Sequence, residues 1–123
     1  LLFSFVILII IAIDITEGNE HLWDRTTNFI DGRRQNEDEV LHSEQIIVNA
    51  RRSRCCRGIV RKSFYKPMTG SLTSIMILNK GAPATITGLS GGVEEGRIDF
   101  NLIFMTCQGL HYNFTVYGYK NIG

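Results

Sequence analysis

No segment of this chain repeats at a fixed period, none is low in complexity, and none carries apolar residues at the spacing of an amphipathic helix. Solenoids, flexible linkers and helical bundles are thereby excluded as readings. Histidine and cysteine are scarce, three of each. His21, His42 and His111 are scattered and the adjacent pair Cys55-Cys56 lacks a zinc-ligand spacing, so neither a metal site nor a cofactor is expected. Net charge is lacking too. The 13 basic and 12 acidic residues leave +1, too little to imply a polyanionic partner by itself. One local absence breaks that balance: between positions 51 and 66 there is no acid, while Arg51, Arg52, Arg54, Arg57, Arg61, Lys62 and Lys66 are all basic.

What is present first is hydrocarbon. Residues 1–13 are apolar apart from Ser4 and an Ala12 of small size, which fits the apolar region of a secretory signal peptide. The run is too short to span a bilayer, so a stable membrane anchor ranks second. Thr16 and Gly18 suit the small-residue positions before a signal-peptidase cut, which makes residues 1–18 the signal peptide. Losing them removes Asp14 and Glu17 and raises the net charge from +1 to +3. Residues 19–36 read as a polar leader with a turn at Asp31-Gly32, with Trp23 and Phe29 tucked onto the body. Residues 37–123 then form a single β domain.

The strongest strand signals lie late in the chain. Ile98, Phe100, Leu102 and Phe104 alternate with Arg97, Asp99 and Asn101, and Tyr112, Phe114 and Val116 alternate with His111, Asn113, Thr115 and Tyr117. Joined by Cys107-Gln108-Gly109-Leu110, the two runs read as a hairpin whose apolar face the earlier segments must cover. Residues 40–50 suit one or two short strands with a turn at Ser43-Glu44. In the basic run, Cys56, Gly58, Val60 and Phe64 face the core and Arg57, Arg61 and Ser63 face out, with Ile59 and Lys62 spoiling the alternation. Residues 72–78 read as a strand covered on both faces, and residues 84–89 as a short strand closed by a turn at Gly91-Gly92. Six or seven short strands separated by turn signals predict an all-β fold, a small antiparallel β-sandwich or barrel.

Several of these stretches together resemble the insect family of multiprotein bridging factor 2, which includes probable salivary secreted peptides and pathogen-response proteins. The positions that carry the resemblance are Gly32, Arg33, Asp38, Val40 and Leu41; the isoleucine-rich run at residues 72–78; Ala84-Thr85-Ile86-Thr87 with Gly91-Gly92-Val93; and the closing Asn113-Phe114-Thr115-Val116-Tyr117-Gly118. The chain departs from the family pattern at Asn79, where members carry Asp, at Cys107, which interrupts a polar turn, and at Tyr117, where the usual spacing has one more residue. The resemblance implies a small secreted β protein without known catalysis. The family's name comes from a member described as a transcriptional coactivator, a role at odds with a signal peptide.

Four local features remain. Asn113-Phe114-Thr115 is an N-glycosylation sequon whose Asn113 and Thr115 fall on the outer face of their strand. Among the cysteines, Cys107 pairs with Cys55 or with Cys56 in an oxidising compartment, because adjacent cysteines rarely bridge each other; the thiol left over is available for a dimer. Arg51-Arg52-Ser53-Arg54 matches a minimal convertase pattern, with a solvated basic loop as the favoured reading. Gly88-Leu89-Ser90-Gly91-Gly92 matches the nucleophile-elbow pattern, but no helix is expected after it and a tight turn is favoured.

The expected function is therefore binding, not catalysis. The seven-residue basic run is a candidate patch for an anionic glycan or a microbial surface, with a protein partner also open and nucleic acid disfavoured by export. The opposing reading is that Glu37, Asp38, Glu39 and Glu44 fold over the run and neutralise it. An intracellular coactivator that bridges transcription factors is the alternative function.

Overall fold

The computed structural model describes residues 27–120, so the expected signal peptide, its cleavage point, Trp23 and the first eight residues of the polar leader lie outside the described residues. Within them the chain is all-β. Seven strands run in the order β1 (Phe29–Gly32), β2 (Glu39–Val48), β3 (Arg57–Tyr65), β4 (Ser71–Asn79), β5 (Thr85–Gly92), β6 (Arg97–Met105) and β7 (Leu110–Tyr119). They form two antiparallel sheets, one ordered β1-β4-β7-β2 and the other β3-β6-β5. This is the sandwich form of the expected fold.

The late pair of strands is not a hairpin. β6 is the centre of the three-stranded sheet and β7 lies inside the four-stranded one, so the turn between them carries the chain across the sandwich. Their apolar faces therefore cover each other. Ile98, Phe100, Leu102 and Phe104 meet Leu110, Tyr112, Phe114 and Val116, all buried, and the rings of Phe100 and Phe114 touch edge to face at 4.9 Å. Alternation tells which side chains share a face, not which strands share hydrogen bonds, and two four-residue apolar faces satisfy each other best when stacked. Ile75 and Ile77 of β4, Ile46 of β2 and Ile86 of β5 complete the core.

Other boundaries move for related reasons. Residues 39–48 make one continuous strand with a bulge at Leu41, and Ser43-Glu44 sits mid-strand against Thr115 and Phe114 of β7. Phe29–Gly32, read as leader, is an edge strand on β4, and its turn comes after Gly32. Gly91 and Gly92 belong to β5, the turn being residues 93–96. β3 alternates strictly: Ile59 faces out, half exposed, and Lys62 faces in.

An inward lysine on an edge strand needs a partner. Lys62 forms an ion pair with Glu44 of β2, across the sandwich, and His42 Nε2 lies 3.0 Å from the other oxygen of the same carboxylate. Burial pushes Glu44 up, but its hydrogen bonds to Lys62 and His42 more than offset this and hold it below the usual carboxylate range. Charges pointing inward along both facing edges disfavour the addition of another strand there. On the opposite side, Asp31 Oδ2 of β1 accepts the Val93 N–H at 2.8 Å, joining the two sheets.

Of the stretches that carry the family resemblance, residues 84–87 and 91–93 lie in and beside β5 of the three-stranded sheet, and the others lie with the four-stranded sheet, only in part on its outer face. Residues 33–38 fold over that face, where the Arg34 guanidinium stacks 3.7 Å above the Tyr117 ring. Asp38 is buried and accepts from Arg34 Nε, the Gln35 N–H and the Thr73 hydroxyl at 2.9, 2.8 and 2.7 Å. The Arg34 bond, seconded by the other two, holds its carboxyl well below the usual carboxylate range despite burial. Gly32, at φ 76°, leads into this loop with no room for a side chain, since a Cβ would overlap the Thr73 carbonyl. Leu41 Cδ1 fills the space a side chain on Gly118 would need. These are packing roles, and none of these residues presents a reactive group.

Candidate functional site

The strand registers sort the loops to two ends of the sandwich. At one end lie residues 49–56, 80–84 and 106–109, which join β2 to β3, β4 to β5 and β6 to β7. These three loops hold Arg51, Arg52, Arg54 and Lys80 and no acid. At the other end, residues 33–38, 66–70 and 93–96 mix Arg33, Arg34 and Lys66 with Glu37, Asp38, Glu94 and Glu95. Among the described residues, one end of the body is thus basic in a chain of nearly neutral charge.

That end is tied down covalently. Cys55 and Cys107 form the disulfide, with Cα atoms 4.5 Å apart, and Cys56 is a free, exposed thiol. The choice left open between Cys55 and Cys56 is resolved by the backbone: Cys56 is held by its neighbour Thr106, which turns Cys55 toward Cys107. Thr106 is the hub of this end. Its N–H donates to the Cys56 carbonyl at 2.8 Å, its carbonyl accepts the Arg51 N–H at 2.8 Å, and its hydroxyl accepts the Cys56 N–H at 2.9 Å and lies 3.1 Å from the Arg54 carbonyl. Four bonds and a disulfide fix the backbone of a loop whose arginine side chains are exposed. An intramolecular disulfide of this kind is consistent with an extracellular protein.

The arginines open onto two clefts. One, of about 490 Å³, is lined by Ala50, Arg52, Ala82, Cys107 and Gln108. The other, of about 220 Å³, is lined by Arg51, Arg54, Cys56 and Thr106 together with Val48 and Asn49. The two clefts share no lining residue, and Arg52 belongs to the first while Arg51 and Arg54 belong to the second. Arg57 continues the basic surface onto the outer face of the three-stranded sheet, beside Thr85, Thr87 and Ile103, and Arg61 follows four residues along.

The seven-residue basic run is therefore only partly a patch. Arg51, Arg52, Arg54, Arg57 and Arg61 are exposed; Lys62 is turned into the sandwich, and Lys66 lies at the other end, bonded through its N–H to the Gly96 carbonyl at 2.8 Å. Among the described residues, the acidic run neutralises one member of the basic run, Lys62, and none of its arginines. Glu37, Asp38 and Glu39 are at the far end, and among the described residues Glu44 is the member of that run that reaches a basic-run side chain, Lys62.

Asn113 lies on the outer face as its strand phase requires, but on a central strand, between Leu78 of β4 and Gln45 of β2. Its Oδ1 is covered and has no hydrogen-bond partner, as is His111 Nε2 two residues earlier on the same face. Ser90 sits within β5, where its hydroxyl accepts from Arg97 Nη2 at 3.2 Å, and no histidine is among its partners. Among the described residues no three His, Cys, Asp or Glu side chains are grouped to hold a metal ion.

Thr106, Gln108 and Ala82 were not legible as site residues. Nothing in their types or spacing marks them; they join the site because three loops end at the same edge of the fold. No family model, curated protein or solved structure matches this chain.

Proposed function

We propose that this chain is an exported, non-enzymatic binding protein, an effector of the kind implied by its resemblance to the insect bridging-factor-2 and salivary-peptide family, and that it contacts anionic glycans or microbial surfaces. The observation that carries the reading is the arginine end, acid-free among the described residues, held by the Cys55–Cys107 disulfide. Such a disulfide persists where the surroundings are oxidising and would be reduced in the cytosol, which weighs against the coactivator role. Exposed guanidinium groups are suited to sulfate, phosphate and carboxylate.

The test is the intact mass of the product, with and without reductant, when the coding sequence is expressed in insect cells. Protein in the medium beginning near Asn19, two mass units lighter than the reduced chain, supports export. The same spectrum reads a glycan on Asn113 and any cut after Arg54. Protein kept in the cytosol with residues 1–18 attached and all thiols reduced would overturn the reading and favour the coactivator.

A further inference from the structure

We infer that the two clefts beside the disulfide form one bipartite site for a linear ligand carrying several sulfate or phosphate groups, with Arg52 on one side, Arg51 and Arg54 on the other, and Thr106 as the positioning residue. This rests on the reading of the chain as an exported anion binder, and names the site and the ligand chemistry.

Size comes first. At about 490 Å³ the Arg52 cleft is a broad depression open to solvent, whereas the Arg51 and Arg54 cleft, at about 220 Å³, is smaller and more enclosed. A sugar-sized unit fits the first and a single anionic group the second. The two clefts share no lining residue, so a single small anion seated in one is not held by the arginine of the other. A chain with anions at intervals can engage both, and linking the two contacts raises affinity well beyond either alone.

Rigidity comes second. Flexible basic loops lose much of their binding free energy in ordering, but here the backbone is already fixed by the bonds of Thr106 and by the Cys55–Cys107 bridge, leaving only side chains to order. The site should accordingly depend on Thr106, whose bonds fix the loop beside the cleft that it helps to line. It should not depend on Lys62 or Lys66, whose charges are directed elsewhere. A patch acting through diffuse charge would weigh all seven residues alike.

The experiment titrates the exported, disulfide-intact chain with a fully sulfated heparin octasaccharide and, separately, with a linear polyphosphate, at about 150 mM salt so that diffuse attraction is screened. Binding of the octasaccharide alone identifies a sulfated glycan, and binding of the polyphosphate alone a phosphate chain. In either arm the R51A/R52A/R54A variant should lose on the order of a hundredfold in affinity, while R33A/K120A, at the far end, should stay within about threefold. Thr106→Val should lose roughly tenfold below its melting temperature and Thr106→Ser should restore it, a rescue that separates positioning from general stability. Retained affinity in the triple variant, equal loss in R33A/K120A, or no binding of either probe overturns the site. A secreted chain that binds neither probe leaves export standing, whereas a chain retained in the cytosol removes the reading beneath it.

Discussion

Removing the Cys55–Cys107 bridge should cost about as much free energy as a small domain has to spare. The bridge closes a sequence separation of 52 residues. In the chain-entropy account, a loop of that length withdraws about 4 kcal/mol of conformational freedom from the unfolded state at 25 °C. Against a typical stability of ~5–15 kcal/mol this decides whether the domain is comfortably folded. At about 4–8 °C per kcal/mol for a domain of this size, the melting temperature should fall by roughly 15–30 °C. The assay is urea and thermal unfolding of the Cys55→Ala/Cys107→Ala double variant beside wild type, followed by circular dichroism. Cys56→Ser is the control: its side chain is exposed and its partner is a hydroxyl, so the shift should stay within about 0.5 kcal/mol. A double variant within about 1 kcal/mol of wild type would refute the loop argument. Equal damage from Cys56→Ser would instead show that Cys56 holds Cys107.

Phe114→Ala should cost about 3–5 kcal/mol in denaturant melts, since Phe114 is fully buried and stacks on Phe100 across the two sheets. Gly32→Ala should cost more than about 1 kcal/mol, because the residue sits at φ 76° with the Thr73 carbonyl where a Cβ would go; a neutral result would mean the loop can rebuild. The native carboxyls of Asp38 and Glu44 titrate below their unfolded values, so their stabilisation is complete above about pH 4.5 and is lost as pH falls through the native values. Melts from pH 7 to pH 2 should show that acid limb, and Asp38→Asn should flatten it. Lys62→Leu should change stability by less than about 1 kcal/mol, the pair with Glu44 being partly solvated, yet raise self-association in sedimentation by removing an inward charge from an open edge.

Period-two alternation made the strands and their inner faces legible with no structure in hand. Ile98, Phe100, Leu102, Phe104, Tyr112, Phe114 and Val116 are all core, as their spacing requires. Pairing was not legible, because a strand's neighbours are chosen by side chains and turns far away in sequence: β6 binds β3 and β5, and β7 binds β4 and β2. Lys62 shows the cost of trusting chemistry over phase. Its charge argued for solvent, its position in β3 argued for the interior, and the carboxylate of Glu44 lets position win. The candidate site was half legible for the same reason. Composition picked out Arg51, Arg52 and Arg54, but the loops that flank them come from positions about 30 and 50 residues downstream, where only the fold could bring them.

The position of β7 has a consequence in time. β7 lies between β4 and β2, and it follows both of them in the chain. The four-stranded sheet therefore cannot close while the first six strands are being made. Of all the pairings, β5 with β6 alone joins consecutive strands, and folds dominated by distant pairings form slowly, in roughly milliseconds to seconds. In a chain threaded into the secretory pathway, Asn113 would thus pass the glycosylation machinery as open polypeptide, before the sheet that later covers its side-chain oxygen exists. If the chain is exported, whether that asparagine carries a sugar would be decided by a race between a transferase and a sheet, and the topology would give the transferase the first move.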